Sequence, residues 1–398
     1  MSAAAEHRRV VTRGELDEPL LAYGDAVQRI VASFEALPAT EVALSDALGL
    51  VLARDVVAHD EIPAFDNSAM DGWAVRSSDL AAGGAELRVA DEVAPGAAVK
   101  VMTGQPIPDG ADAVVPWERA SAPEDGRFVA EGPVESGRFV RRAGEDLHAG
   151  DVVLRAGTVI DAVAVGLAAA VGADRLLLHL RPRVAVLSTG DELVDVTEPI
   201  GRGRVRDANG PLLAAIAVAA GATVVATERV PDDPDQIAGA LHRLAAVSDL
   251  VVTSGGASVG EKDWLRTVLE REGELSFWRI AMRPGKPVAS GRVDDTAVIV
   301  LPGNPGSVVA CSHVVVARAI RCLAGRPAQP TTFPSTLANA IEGDPARTVV
   351  HPVRRHGDQV VPADVRSSQV LSNALGAHGW VIVPPGGLPV GAHVEVEQ

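Results

Sequence analysis

The sequence predicts a multidomain α/β plus β protein, in which a three-layer α/β domain with a largely parallel sheet is combined with β-rich parts. Three observations lead there. Between Pro182 and about Arg326, apolar β-type runs alternate with helix-type runs. Residues 51–150 hold short β-type runs broken by Gly, Pro and Asp. After Gly325 the chain is β-rich again to its end.

Residues 1–18 read as an arm. Tyr23–Leu37 carries Val27, Ile30, Val31 and Phe34 near helical spacing, so a helix is expected, with a second short one near Ser45–Leu50. The runs Leu87–Val89, Ala113–Pro116 and Phe128–Ala130 mark a β-rich inserted module over 51–150. Ile160–Val171 returns to helical spacing, so the insertion leaves a split helical linker domain of residues 19–50 and 151–181. In the α/β domain, 182–328, strands are expected at Arg183–Leu187, Thr223–Val230, Leu250–Thr253 and Ala297–Leu301. Its helices are expected at Pro211–Ala220, Asp235–Val247, Asp263–Arg271 and Ser307–Leu323. Residues 329–398 show no convincing helix and read as a C-terminal β-barrel, with a sandwich as the alternative. No internal repeat is visible.

The formal charge of −16 argues against nucleic acid or an anionic membrane as partner. Arg8 and Arg9 precede no apolar stretch, Leu212–Ala226 is short for a bilayer, and Ala156–Ala173 contains Asp161, so a soluble cytoplasmic chain is expected. Cys311 and Cys322 lie three turns apart on one expected helix, too far to bridge and without metal spacing. Only Lys100, Lys262 and Lys286 are lysines among 36 basic residues.

Two strand ends stand out, Asp249–Gly260 and Val298–Val309, each an apolar run that stops at Gly, Pro or Ser. Parallel sheets end their strands this way at a ligand crevice. In the first, Ser254-Gly-Gly-Ala-Ser258-Val-Gly offers backbone N–H groups and two hydroxyls to an oxyanion. No Gly-Lys-Ser/Thr follows, so it is not the NTPase P-loop. Asp263 follows closely enough to share a metal or a ligand hydroxyl. At Ser188-Thr-Gly-Asp-Glu192 two carboxylates follow a strand; they suit Mg²⁺ or a ribose hydroxyl, or, in the bland alternative, a helix N-cap. Arg279, Arg283 and Lys286 supply the positive cluster that the acidic chain otherwise lacks; an exposed strand edge is the alternative. In the β module, Asp66, Asn67, Ser68, Asp71, Thr103 and Asp146 are polar groups for which turn chemistry alone is a sufficient account. The ten histidines show no zinc spacing, and no Ser/His/Asp set or Rossmann fingerprint is present.

Together these segments resemble the molybdopterin molybdenumtransferase family, which includes bacterial MoeA and the E domain of gephyrin. The match comprises Phe65-Asp-Asn-Ser-Ala-Met-Asp-Gly-Trp-Ala, Met102-Thr-Gly, Arg142-Ala-Gly-Glu-Asp, Ser188-Thr-Gly-Asp-Glu-Leu, Asp207-Ala-Asn, Ser254-Gly-Gly-Ala-Ser-Val-Gly, Pro284-Gly-Lys-Pro and Leu301-Pro-Gly-Asn-Pro, in register over nearly the whole chain. The resemblance implies a four-domain architecture and the last step of molybdenum-cofactor synthesis: molybdate and adenylylated molybdopterin bind, the metal enters the dithiolene, and AMP leaves with Mg²⁺ required. It implies functional roles for Asp71, Thr103, Asp146, Glu192, Asp232 (ambiguous with Asp233) and Asp263, with Glu192 and Asp263 toward Mg²⁺. It implies substrate contacts from Ser68, Asp207, Asn209, Ser254, Gly255, Gly256, Ser258, Arg279, Arg283, Lys286, Pro302 and Asn304. It also implies a homodimer whose active site is shared, the α/β domain of one subunit facing the β module of the other. The chain departs from the family pattern at Arg279 and Arg283, where Lys is frequent, and at Ala257 and Gly306, where Val is. Arg keeps the charge but meets an oxyanion as a planar fork. A molybdopterin adenylyltransferase and a non-catalytic molybdopterin-binding or scaffold protein are the alternatives.

Overall fold

The computed structural model describes residues 20–256 and 264–398. The fold is multidomain, with mixed α/β sheets and a closed five-stranded β-barrel. The described residues form two compact units, one of 20–40, 49–53, 178–256 and 264–398, the other of 41–48 and 54–177.

The first unit holds a six-stranded sheet of β1 (Arg183–Thr189), β2 (Thr223–Val230), β3 (Leu250–Ser254), β4 (Glu274–Trp278), β5 (Ala289–Val293) and β6 (Thr296–Leu301). Its helices are α1 (Asn209–Ala219), α2 (Pro234–Ala245), α3 (Trp264–Glu272) and α4 (Pro305–Leu323), the last carrying one π turn at Ser312–Val316. The strand order is β2-β1-β3-β6-β5-β4. The first four are parallel, and β5 and β4 add an antiparallel edge.

β1, β3 and β6 read as continuous apolar runs because helices cover both faces of the sheet. Alternate residues serve different cores. Val184, Val186, Leu250, Val252 and Ile299 pack with α1 and α4, whereas Ala185, Leu187, Val251, Val298 and Val300 pack with α2 and α3. α4 is long and apolar enough to cross a membrane by length and composition, but most of it is buried in the first of these cores.

Three local expectations are corrected. The sequence reading holds no strand at β4 or β5; β4 sits at the edge, only partly buried, so charged and polar residues interrupt its apolar pattern, and the apolar run of β5 is interrupted by Gly291, where a Cβ would strike the Glu274 carbonyl oxygen. The first helix ends at Ala32, where Ser33 Oγ donates to the Ile30 carbonyl at 2.8 Å, although Phe34 beyond it is still buried. The short helix near Ser45–Leu50 is a single 3₁₀ turn, Leu44–Asp46. The C-terminal region contains one such turn, Leu371–Ala374.

The barrel consists of β7 (Thr332–Leu337), β8 (Thr348–His356), β9 (Gln359–Pro362), β10 (Gly379–Val383) and β11 (His393–Glu397). They run in the order β8-β9-β7-β11-β10, and β10 pairs back onto β8 to close the ring. Leu337, Val353, Val360, Val381, Val383 and Val396 fill the interior. A buried ion cluster fastens its last strand to α4. Arg318 Nη2 donates to both Glu397 oxygens at 2.9 Å, His313 Nε2 lies 2.8 Å from Glu397 Oε2, and Trp380 stacks on His313.

The second unit is built on a five-stranded sheet in the order Ala113–Pro116, Gly72–Val75, Ala97–Val101, Ala85–Val89, Arg127–Ala130. Trp73 stacks on Phe128 at 4.4 Å in its core. Its helix Ala162–Ala170 is capped by Asp161, which accepts from Ala164 N at 2.8 Å.

Burial pushes the Glu397 carboxyl up, but the His313 hydrogen bond and the Arg318 charge outweigh it and hold the group below its ordinary range. Its contribution is therefore complete above the unfolded carboxylate pKa and is lost as pH falls through the depressed folded value. Glu397→Ala strands a buried Arg318 and is expected to cost about 3–5 kcal/mol in denaturant unfolding at pH 7. The difference from the parent should shrink in acid; a variant as stable as the parent at pH 7 contradicts the cluster's role.

Candidate functional site

A cleft of about 1030 Å³ opens in the first unit at the carboxyl ends of β1, β2, β3 and β6 and is walled on its other side by the barrel. From β1 the chain passes through α1 to β2 on one side, and from β2 it crosses back through α2 to β3 on the other side of β1. That reversal is the switch point at which doubly wound sheets bind ligands.

The floor is made of strand ends. β1 finishes in Ser188 and Thr189 and β3 in Ser254, after which Gly255 and Gly256 take φ of +99° and +58°. A Cβ on Gly255 would fall on the Thr189 carbonyl oxygen, so only glycine lets the two strand ends approach this closely. Asn209, at the start of α1, donates from Nδ2 to Ser254 Oγ at 2.8 Å and to the Gly303 carbonyl at 2.7 Å. Asp207 Oδ1 accepts from Gly210 N at 2.9 Å and so caps the first turn of α1. Ser188 Oγ, Thr189 Oγ1 and Asn209 Oδ1 are buried polar atoms without a partner among the described residues. Buried polar atoms are nearly always paired, so three orphans at one strand-end cradle suit a polar ligand.

The walls differ in charge. Glu192 and Asp232 line the cleft on the strand-end side. Asp232 and Asp233 differ in their surroundings: Asp233 Oδ1 accepts from Gln236 N at 2.9 Å as the N-cap of α2, while Asp232 is the residue in the lining. No helix starts at Asp191. Its carboxylate instead accepts from Asp232 N at 3.1 Å and pins the loop after β2, so the N-cap alternative is corrected.

Arg283, Lys286 and Arg347 lie on the cleft surface. Burial, then the charges of Arg279 and Arg347, hold the Lys286 ammonium below its ordinary value. Arg279 itself is 5% exposed and outside the lining, so it acts on the cleft through charge and is not an exposed strand edge. Pro302 and Asn304 line the cleft after β6, and Asn304 Nδ2 reaches Ser368 Oγ at 3.4 Å.

Of the residues expected from sequence, the cleft gathers Glu192, Asp207, Asn209, Asp232, Ser254, Gly255, Gly256, Arg283, Lys286, Pro302 and Asn304. Ser258 and Asp263 lie outside the described residues. Asp71, Thr103, Ser68 and Asp146 belong to the second unit. There Asp71 Oδ1 accepts from Thr103 N at 2.7 Å and Thr103 Oγ1 at 2.8 Å. Ser68 is buried with its hydroxyl donated to the Met70 carbonyl, and Asp146 is exposed. The barrel residues Arg347, His351, Arg366 and Ser368, which complete the cleft, were missed. They sit singly on strands and turns with no motif around them; only the folding of β8 and β9 brings them to the site.

Among the described residues no three His, Cys, Asp or Glu side chains converge on one point. A Mg²⁺ held by one or two carboxylates plus substrate phosphates needs no such cage. Glu192 and Asp232, hard oxygen donors in one cleft, fit that coordination.

The two bonds from Thr103, backbone first, lower the Asp71 pKa. Thr103→Val removes the hydroxyl bond, so the Asp71 carboxyl should titrate at higher pH by NMR while staying below the ordinary aspartate value; an unchanged titration would show that Thr103 does not hold this carboxylate.

Two family models match the chain: "MoeA N-terminal region (domain I and II)" over residues 21–172 and "Probable molybdopterin binding domain" over 185–322. The chain is 39% identical over 321 residues to molybdopterin molybdenumtransferase 2 of Mycobacterium tuberculosis, covering 75% of this chain and 79% of that protein. It is 32% identical over 399 residues to molybdopterin molybdenumtransferase of Staphylococcus aureus, covering 94% of each. The crystal structure of the molybdopterin biosynthesis moeA protein from Pyrococcus horikoshii superimposes with a TM-score of 0.81 at 25% identity, covering 95% of this chain and 99% of that one. With relatives of this identity aligned along most of its length, and its strand-end cleft inside the matched region, the chain belongs to the molybdopterin molybdenumtransferase family.

Proposed function

We propose that this chain inserts molybdenum into adenylylated molybdopterin and releases AMP, the last step of molybdenum-cofactor biosynthesis. The observation that carries the proposal is the cleft itself, where strand-end amides and orphan hydroxyls and the carboxylates of Glu192 and Asp232 share one space with Arg283, Lys286 and Arg347. A substrate with a phosphate link and a molybdate dianion needs both kinds of wall. The turn at Gly256 and the Ser254 hydroxyl, whose oxygen accepts from Asn209 Nδ2, would hold the pterin phosphate. Arg283, Lys286 and Arg347 would hold molybdate by charge-assisted bonds. Glu192 and Asp232, with Asp263 by resemblance, would hold Mg²⁺, which when bound neutralises phosphate charge as AMP departs. No side-chain nucleophile is required, because the dithiolene sulfurs are themselves the ligands that take the metal. Positioning then supplies most of the rate.

The finer division into a split linker (19–50, 151–181), a β module (51–150), an α/β domain (182–328) and a barrel (329–398) belongs to this proposal. So do cytoplasmic location and a homodimer with a shared active site, in which Asp71, Thr103, Ser68 and Asp146 act from one subunit and the cleft residues from the other.

The test is AMP release from purified chain with adenylylated molybdopterin, Mg²⁺ and a molybdate titration. Release should require molybdate, stop on chelation of Mg²⁺, and fall by about 10²-fold or more in Asp232→Asn and Asp263→Asn with folding intact. Tight pterin binding without molybdate-dependent release would instead favour a carrier or scaffold. For the shared site, Asp71→Asn and Asp232→Asn chains should each be inactive alone and regain activity when mixed and allowed to exchange subunits. Mixed dimers that form but stay inactive would refute it.

A further inference from the structure

Glycine is the poorer residue at a helical position, yet Gly306 occupies the first turn of α4 with ordinary helical backbone. The reason is contact with the barrel. A Cβ at Gly306 would stand 2.7 Å from the Ser368 carbonyl oxygen and 3.2 Å from that of Val370. The barrel segment pressed against it is internally braced. The Ser367 carbonyl accepts from Val370 N at 3.2 Å and Asn373 Nδ2 at 2.9 Å, and Gln369 N donates to Ser367 Oγ at 3.2 Å. One further bond, from Asn304 Nδ2 to Ser368 Oγ at 3.4 Å, joins it to the start of α4. The same segment, Asp364–Ser368, lines the cleft.

We propose that Gly306 is a positioning residue for the barrel wall of the cleft: with no side chain there, the Ser367–Val370 turn seats on the start of α4 and fits the cleft to a small tetrahedral oxyanion. A side chain at 306 meets backbone, which cannot rotate away, so the braced turn must move as a body and the wall moves with it. The proposal rests on the reading that the cleft takes molybdate.

The test uses the full chain with Gly306→Ala and Gly306→Val. Half-saturating molybdate for AMP release should rise about tenfold in Gly306→Val and less in Gly306→Ala, with the maximal rate within about twofold of the parent. The melting temperature should fall less in Gly306→Ala than in Gly306→Val, and the Val370 amide should exchange faster in both variants. Unchanged molybdate dependence and unchanged exchange in folded Gly306→Val overturn the proposal. So does a fall in maximal rate at unchanged half-saturation, which would make the turn catalytic. If Gly306→Val does not fold, the same comparisons in Gly306→Ala decide. If the parent releases no AMP with molybdate, the functional reading fails, and the exchange measurement alone decides whether Gly306 seats the turn.

Discussion

The Asn209 amide donates to Ser254 Oγ and to the Gly303 carbonyl, and these two bonds tie together the ends of adjacent parallel strands at the place where the sheet stops. A parallel sheet buried on both faces leaves unpaired backbone and hydroxyl groups at its carboxyl edge. In this chain part of that demand is met by α1, through Asn209 and the Asp207 cap, and by the close approach of Gly255 to Thr189. What remains unmet is buried on Ser188, Thr189 and Asn209, three residues of the cleft lining. The site is thus the unfinished part of the sheet's own hydrogen bonding, and ligand chemistry follows from which groups are left over.

Charge does the complementary work. An anionic ligand approaching a chain of net charge −16 needs a local field of opposite sign. The cations come from two places far apart in sequence, Arg283 and Lys286 beside β5 and, from the barrel, Arg347, which is itself ion-paired with Asp344. The Arg318–Glu397–His313 cluster fastens the last strand of this barrel, β11, to α4. α4 begins at the cleft with Asn304 and Gly306.

Much of this was legible in the sequence where chemistry and local pattern coincide. The parallel strands were visible because burial on both faces forces uninterrupted Val, Ile and Leu, and their ends because Gly, Pro and Ser must stop them there. β4 and β5 were hidden because an antiparallel edge tolerates Glu, Ser and Gly within the strand. Glu192, Arg283 and Lys286 could be singled out by motif, whereas Arg347, His351 and Ser368 carry no local signal and reach the cleft only through barrel closure. Asp232 and Asp233 were indistinguishable until the start of α2 showed which one caps it.

The most direct measurement of the central claim is the location of molybdenum by anomalous X-ray diffraction from crystals of the full chain soaked in molybdate. The account predicts one dominant peak within bonding reach of Arg283, Lys286 and Arg347, lost in Lys286→Met. A peak on the exposed arginines of the 202–206 segment, with none in the cleft, would contradict it.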